Sequence, residues 1–249
     1  MKQKLYILLF SLFAGVWSVQ AASMAQADSA YIAGNYQQAA QQYQTLIDNG
    51  MQGVDLYYNA GNAYFRMGKI ADAIIQYERA LRLDATHADA KHNLAFAQTM
   101  TVDKIDPVGT IFLVNWWKAC YRLASADTWA YASVGLFLLS LVCITVFVFG
   151  KSIAWRKTGF SIAIVALLFT IITALCASSR NAEVTDTSVA IIYVPTVTTK
   201  SSPDDSGNDL FILHEGTKVV IKSSLGEWTE VMTEDGNTGW LPTQSIVVI

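Results

Sequence analysis

Tyr57-Tyr58-Asn59-Ala60-Gly61-Asn62-Ala63-Tyr64, followed by Gly68, Ala73, Tyr77, Ala80-Leu81 and Asp84, is the stretch on which the fold turns. A step of 34 residues back lays Ala73 on Ala39, Gly68 on Gly34, Ile70 on Tyr36 and Tyr77 on Tyr43, and the same step forward lays Asn59 on Asn93, Gly61 on Ala95 and Ala63 on Ala97. Self-similarity at this period marks stacked units, each made of two antiparallel helices. Gly61 stands where the first helix of a unit must come close to its partner, and Ala73 packs against that gap from the second. Tyr64 and Tyr77 fill the space between successive hairpins. Gly68 ends the first helix because it takes a left-handed backbone at little cost.

These residues resemble the tetratricopeptide-repeat pattern, in full over about 55–84, with a first repeat over about 26–50 and part of a third over about 88–100. Ala85 departs from it, standing where the family has proline. Two and a half repeats are short for an array that buries a continuous core by stacking, so the last hairpin is expected to be covered by the segment after Pro107 or by a membrane surface. The resemblance implies a concave groove, lined by the first helices of the hairpins, that binds a peptide or helix of a protein partner. Helical spacing turns Asp55, Tyr58, Asn62 and Phe65 toward that groove, with Asp89, His92 and Phe96 from the next repeat. Tyr58, Phe65 and Phe96 can equally be read as part of the core. Asn62 and Asn93 are similar to the asparagines that grip a ligand carboxylate in chaperone-binding members of the family, without the basic pair that accompanies them there.

The 249 residues are 53% hydrophobic and 15% charged, too apolar for an ordinary soluble chain. The net charge of -3 and scattered Lys and Arg exclude the basic stripe of a nucleic-acid binder. The excess apolar residues are concentrated: no charge occurs between Asp127 and Lys151, or between Lys157 and Arg180, and each run is long enough to cross a hydrocarbon core of about 30 Å. The loop between them carries Lys151, Arg156 and Lys157 and no acid, the bias of a cytoplasmic loop. At the start, Lys2 and Lys4, the apolar run Leu5 to Trp17 and the small residues around Val19-Gln20-Ala21 form a secretory signal pattern with cleavage expected after Ala21. An exported start and two crossings leave both ends outside. Ile111 to Leu123, with Trp116, Trp117, Lys118, Tyr121 and Arg122, has the mixture of a helix lying in the interface. Neither span holds an ionisable residue, which disfavours transport, and Gly135, Ser140, Gly159 and Ala163 are suited to packing between the helices.

From about Ser188 the texture changes to short β-rich runs: Val189 to Val194, Lys218 to Lys222, Trp228 to Met232 and Gly239 to Ile249, with Asp235-Gly236-Asn237 as a hairpin turn. Ala190-Ile191-Ile192, the polar loop through Ser201-Ser202-Pro203, Leu213-His214-Glu215-Gly216-Thr217-Lys218-Val219, Glu227-Trp228 and Gly239-Trp240-Leu241 resemble the bacterial SH3 family over most of 186–249. That resemblance implies a small all-β barrel whose ligand is peptidoglycan, a proline-rich segment or none. Trp228 and Trp240 either floor a shallow groove or belong to the core and rim. His214, with no partner near it in sequence, reads as a surface residue beside a turn.

The expected architecture is a multidomain membrane protein: signal peptide 1–21, an all-α tetratricopeptide-repeat solenoid 22–104, an interfacial amphipathic helix 105–126, a transmembrane helix 127–150, a cytoplasmic loop 151–157, a second transmembrane helix 158–179 and an SH3-like barrel 180–249. This order resembles the BatE-type proteins of the Bacteroides aerotolerance (Bat) operon. The resemblance implies a non-enzymatic scaffold in a stress-linked envelope complex of the bacterial inner membrane. Both soluble domains would be periplasmic, the partners von Willebrand factor A-domain Bat proteins, and a MoxR-type AAA ATPase functionally linked. A cell-wall sensor that binds peptidoglycan through the barrel is the alternative. No Ser-His-Asp context, metal cluster or phosphate loop stands out among the residues, so no catalytic, metal or cofactor site is assigned. Cys120, Cys143 and Cys176 read as small hydrophobes, with a Cys120–Cys176 bridge left open.

Overall fold

The structure is a computed structural model that describes residues 24–105, 109 and 111–249; the expected signal peptide lies outside the described residues. Among the described residues two units form, one from 24–81, 87–105 and 187–249, the other from 82–86, 109 and 111–186.

The first unit begins with residues 24–32 as helix α1, then α2 (Tyr36–Asp48), α3 (Val54–Arg66), α4 (Ile70–Leu83) and α5 (Ala88–Gln98). The repeat of 34 is visible in the backbone. Gly34 and Gly68, one period apart, end α1 and α3 with φ of 80° and 76°, a conformation that costs other residues a Cβ clash. Where the family has proline, Asp84 holds the turn instead: its Oδ1 accepts from the Thr86 amide at 2.8 Å and the Thr86 hydroxyl at 2.6 Å. His87 then caps α5, its Nδ1 accepting from the Ala90 amide at 3.1 Å. Small residues let the helices meet: Ala39, Ala60, Ala63, Ala73 and Ala80 are all buried with Tyr43, Ile74 and Tyr77. A Cβ on Gly61 would lie 2.6 Å from the Tyr77 ring, so the space at Gly61 is filled by Tyr77 rather than by Ala73.

The C-terminal part is an antiparallel sheet of β1 (Val189–Ile192), β2 (Thr196–Lys200), β3 (Asp209–His214), β4 (Lys218–Leu225), β5 (Trp228–Thr233), β6 (Thr238–Pro242) and β7 (Ile246–Val248), in the order β3-β2-β6-β5-β4-β1-β7. Ala190, Ile192, Val197, Leu213, Val219, Val231 and Leu241, contributed by strands far apart in that order, share one core, so the sheet curls around its own side chains. The expected strand Gly239 to Ile249 is broken in two: Pro242 has no N–H for a ladder, and Thr243–Ser245 form a 3-10 turn after it. β2 and β3 were not among the expected strands. In β2, Val197 is the one apolar residue among Thr196, Thr198, Thr199 and Lys200, too weak an alternation to read.

β1 is buried on both faces, as its unbroken apolar run requires. Ala190 and Ile192 enter the sheet core, while Ile191 joins the helical core together with Ile249, with Val189 and Val247 packed beside them. The sheet is therefore docked on the helices. Lys218 pairs with Glu78 of α4 at 2.8 Å, and Gly216, at φ 85°, brings the β3–β4 turn so close that a Cβ would lie 2.8 Å from Thr101 and 3.1 Å from Ile74. Asp103, after α5, accepts from the His214 amide at 2.8 Å and the Thr217 hydroxyl at 2.6 Å, with His214 Nδ1 at 2.8 Å. Burial pushes the Asp103 carboxyl up, but these hydrogen bonds outweigh it and hold it below the ordinary carboxylate range. One expectation is corrected here: His214, read as a surface residue with no partner near it in sequence, is half-buried against a carboxylate 111 positions away. Within this unit the C-terminal sheet packs on α4.

The second unit contains α6 (Phe112–Tyr121), α7 (Ala126–Phe149) and α8 (Ile153–Thr185). The two long helices have mean hydropathy of 2.6 over their most apolar windows, of which only 11% and 22% of residues are buried. Their contact is made where small residues meet: Gly159 and Ala163 on α8 lie against Cys143 and Ser140 on α7. A Cβ on Gly159 would stand 2.9 Å from the Cys143 carbonyl, and the Ser140 hydroxyl donates to the Ala163 carbonyl at 3.2 Å. Gly135, expected in the seam, is exposed and has no atom near its absent Cβ. Arg180, 2% exposed, donates to the carbonyls of Arg82 and Leu83 and pairs with Glu183, which also binds Arg122. The three cysteines are free. On α6, Phe112, Leu113 and Trp116 are exposed.

Candidate partner-binding groove

The first helices of the repeats present polar triads that recur with the sequence period. In the first repeat, Asp28 Oδ1 accepts from the Tyr43 hydroxyl and from Asn59 Nδ2 at 3.2 Å. One period on, Asn62 Oδ1 accepts from the Tyr77 hydroxyl at 2.8 Å and from Asn93 Nδ2 at 2.9 Å. Each triad ties a second helix and the next first helix to one oxygen, which fixes the stacking angle between repeats. Burial raises both phenols far above their ordinary range, so Tyr43 and Tyr77 act as donors at any working pH. Tyr64, which donates to Gln44 at 3.1 Å, is pushed up to about 12, again by burial.

Beside the second triad is a pocket of about 170 Å³. Phe65 and Phe96, their ring centroids 5.7 Å apart, line it together with Tyr31 of α1, Asn62, Asn93 and Tyr77. Arg66 brings the one cation among the lining residues, its guanidinium 4.7 Å from the Tyr36 ring centre and bonded to the Tyr36 hydroxyl at 2.7 Å. Such a lining can seat an apolar side chain against the rings, with Asn62 and Arg66 as polar groups beside it.

Of the residues singled out by helical spacing, Asn62, Phe65 and Phe96 come together at this pocket; Phe96 is 50% exposed, which leaves half its ring free for a partner. Tyr58 is half-buried, 4.9 Å from the His87 ring and 6.2 Å from Tyr77, a packing position next to the pocket. Asp55, Asp89 and His92 are exposed and outside the lining. Both acids lie in the first turn of their helices, where they complement the helix dipole. Asp28, Tyr31 and Arg66 were missed. The signal for Asp28 was present, since it stands one period before Asn62. On the sheet, Trp228 and Trp240 are half-buried on the outer face, on either side of Glu230, which pairs directly with Trp240 across β5 and β6. They do not join the sheet core.

Recurrent hairpins, glycine-ended first helices and a concave aromatic pocket define a helical repeat module of the protein-interaction class. Residues 24–90 match the Tetratricopeptide repeat family, so the chain contains a tetratricopeptide-repeat region, a module that acts generally in binding other proteins. No curated protein matches the chain.

Proposed function

We propose that the chain is a membrane-anchored adaptor that holds a protein partner in the pocket beside Asn62, Phe65 and Phe96. The observation that carries this reading is the division of the repeat surface. The sheet occupies α4, through Glu78 and Ile74, while the first helices keep an exposed aromatic and amide-lined pocket. A protein segment with an apolar side chain suits it.

Anchoring is supported by α7 and α8, whose apolar side chains are largely unburied. The shared core of repeats and sheet agrees with two crossings: the two parts flank the apolar hairpin in sequence, yet Ile191 and Ile249 sit among repeat residues, which needs both parts on one side. The basic loop favours an inner-membrane orientation with repeats and sheet outside the cytoplasm. With its resemblance to bacterial SH3 domains, the sheet completes the BatE-type order, which points to von Willebrand factor A-domain proteins as partners in a stress-linked envelope complex. A second reading, peptidoglycan binding, rests on Trp228 and Trp240 sharing the outer face of the sheet.

A photoreactive amino acid at position 96 in the full chain in cells tests the adaptor reading. A discrete protein adduct, lost when Phe65 and Asn62 are changed to Ala, is expected. No adduct at 96, 65 or 62 would overturn it. Reporter fusions at residues 30 and 249 test the anchoring, and a cytoplasmic signal at either would refute it. Sedimentation of the full chain with cell-wall sacculi, abolished by W228A/W240A, would instead support the second reading.

A further inference from the structure

At the turn between α7 and α8 lies a second pocket, of about 260 Å³, bounded by Phe147, Ile153, Arg156, Lys157 and Phe160. Its walls are apolar and outward-facing: Ile153 is 72% exposed, Phe160 49%, and Phe147 is half-buried against Phe160 with ring centroids 5.2 Å apart. Its polar contribution is entirely cationic. Arg156 Nε donates to the Phe147 carbonyl at 3.1 Å, and the guanidinium lies 5.6 Å from the centre of the Phe147 ring. That leaves its two terminal amino groups for an external oxygen pair, the geometry in which guanidinium binds phosphate. Lys157 stands next to it, and Lys151 belongs to the same turn.

No Asp or Glu occurs in the sequence between Asp127 and Glu183, so the hairpin offers these cations no carboxylate of its own. Among the described residues none of the three is in an ion pair. Any anionic partner for them therefore comes from outside the hairpin. The aromatic and aliphatic walls run on into the unburied apolar surface of the two helices, where Phe149 and Trp155 are also exposed. A soluble anion makes no use of such walls; an acyl chain does.

We infer that the pocket formed by Phe147, Ile153, Arg156, Lys157 and Phe160 binds an anionic glycerophospholipid of the leaflet beside the α7–α8 turn. The phosphodiester is held by Arg156 and Lys157, and the first acyl carbons lie against Phe147, Ile153 and Phe160. The inference rests on the reading that the helices cross a bilayer. It gives the hairpin a leaflet-specific lipid preference that a plain anchor lacks.

Native mass spectrometry of the full-length protein in nonionic detergent, titrated with phosphatidylglycerol or phosphatidylcholine, tests it. Two juxtaposed cations predict a preference for phosphatidylglycerol of roughly 30-fold. R156Q/K157Q should bring binding down to the phosphatidylcholine level, while K104Q/K200Q, which removes two cations elsewhere, should leave it unchanged. Phe160→Ala, which keeps both charges but removes a wall, should weaken binding of the lipid without affecting the preference for its charge. Absence of a preference, or a preference that survives in R156Q/K157Q, would overturn the inference. Displacement of the lipid by millimolar inorganic phosphate would overturn it in favour of a soluble anion. Carbonate extraction of membranes containing the full chain separates the two failures. A chain released by carbonate refutes the membrane reading itself, whereas a retained chain without lipid preference refutes the lipid site alone.

Discussion

Replacing Asp103 with Ala removes the acceptor that joins the segment after α5 to the β3–β4 turn. The side chain is 14% exposed and takes hydrogen bonds from the His214 amide, the Thr217 hydroxyl and His214 Nδ1. Hydrogen bonds to a charged group contribute about 1.5–3 kcal/mol each, and these three share one carboxylate, so they do not add in full. The loss also strands the half-buried amide of His214. A cost of about 3–5 kcal/mol follows, similar to breaking a buried pair from one side. For a unit of this size that is a fall in Tm of roughly 6–20 °C. Thermal unfolding of the detergent-solubilised full chain, with hydrogen exchange read at residues 98–105 and 212–218, measures it. The expected result is a lower Tm with faster exchange in both segments. A Tm within about 1 °C of the parent and unchanged exchange would refute the docking argument.

Acid should act through the same group. Because the Asp103 carboxyl is held below its ordinary range, its contribution is complete above about pH 4 and is lost as pH falls through the depressed value, so the Tm gap between the parent and D103N should close on acidification. Gly61→Ala places a methyl group 2.6 Å from the Tyr77 ring and should cost about 1–3 kcal/mol, with partial recovery in G61A/Y77L; equal Tm values for the two variants would contradict the packing. Phe96→Ala, at a half-exposed position, should change unfolding free energy by less than about 1 kcal/mol while abolishing adduct formation from position 65, and a large loss of stability would mean that Phe96 serves the core instead. Gly159→Ile, aimed at the Cys143 carbonyl, should separate α7 from α8 and speed cysteine modification at Cys143, whereas unchanged labelling would speak against the seam.

The helical repeats could be read from the sequence because their contacts are local and periodic. Gly68 and Gly34, or Asn59 and Asn93, announce themselves by a fixed offset, and each needs only its neighbours to be interpreted. The apolar hairpin could be read because composition alone carries that signal. Docking of the sheet could not: Lys218 meets Glu78 140 positions away, and Asp103 meets His214 111 positions away, with no period or motif to link them. Strand β2 was invisible because most of its residues are threonines, equally at home in loops. Helical spacing puts Asp55, Tyr58, Asn62 and Phe65 on one face, but it could not tell which of them converge with Phe96 at a pocket, since that depends on the angle between repeats, to which the hydrogen bond from buried Tyr77 to half-buried Asn62 contributes.

The shared core of α4 and β1 also sets the schedule by which the chain can mature. Ile74 and its neighbours on α4 are synthesised roughly 120 residues before Ile191, and at about 5–20 residues per second that face waits about 6–24 s for its cover. During that interval an apolar strip of the nascent repeats is open to whatever first reaches it. Completion therefore depends on both hydrophobic helices having been dealt with beforehand, which makes the final strand the latch of the whole first unit.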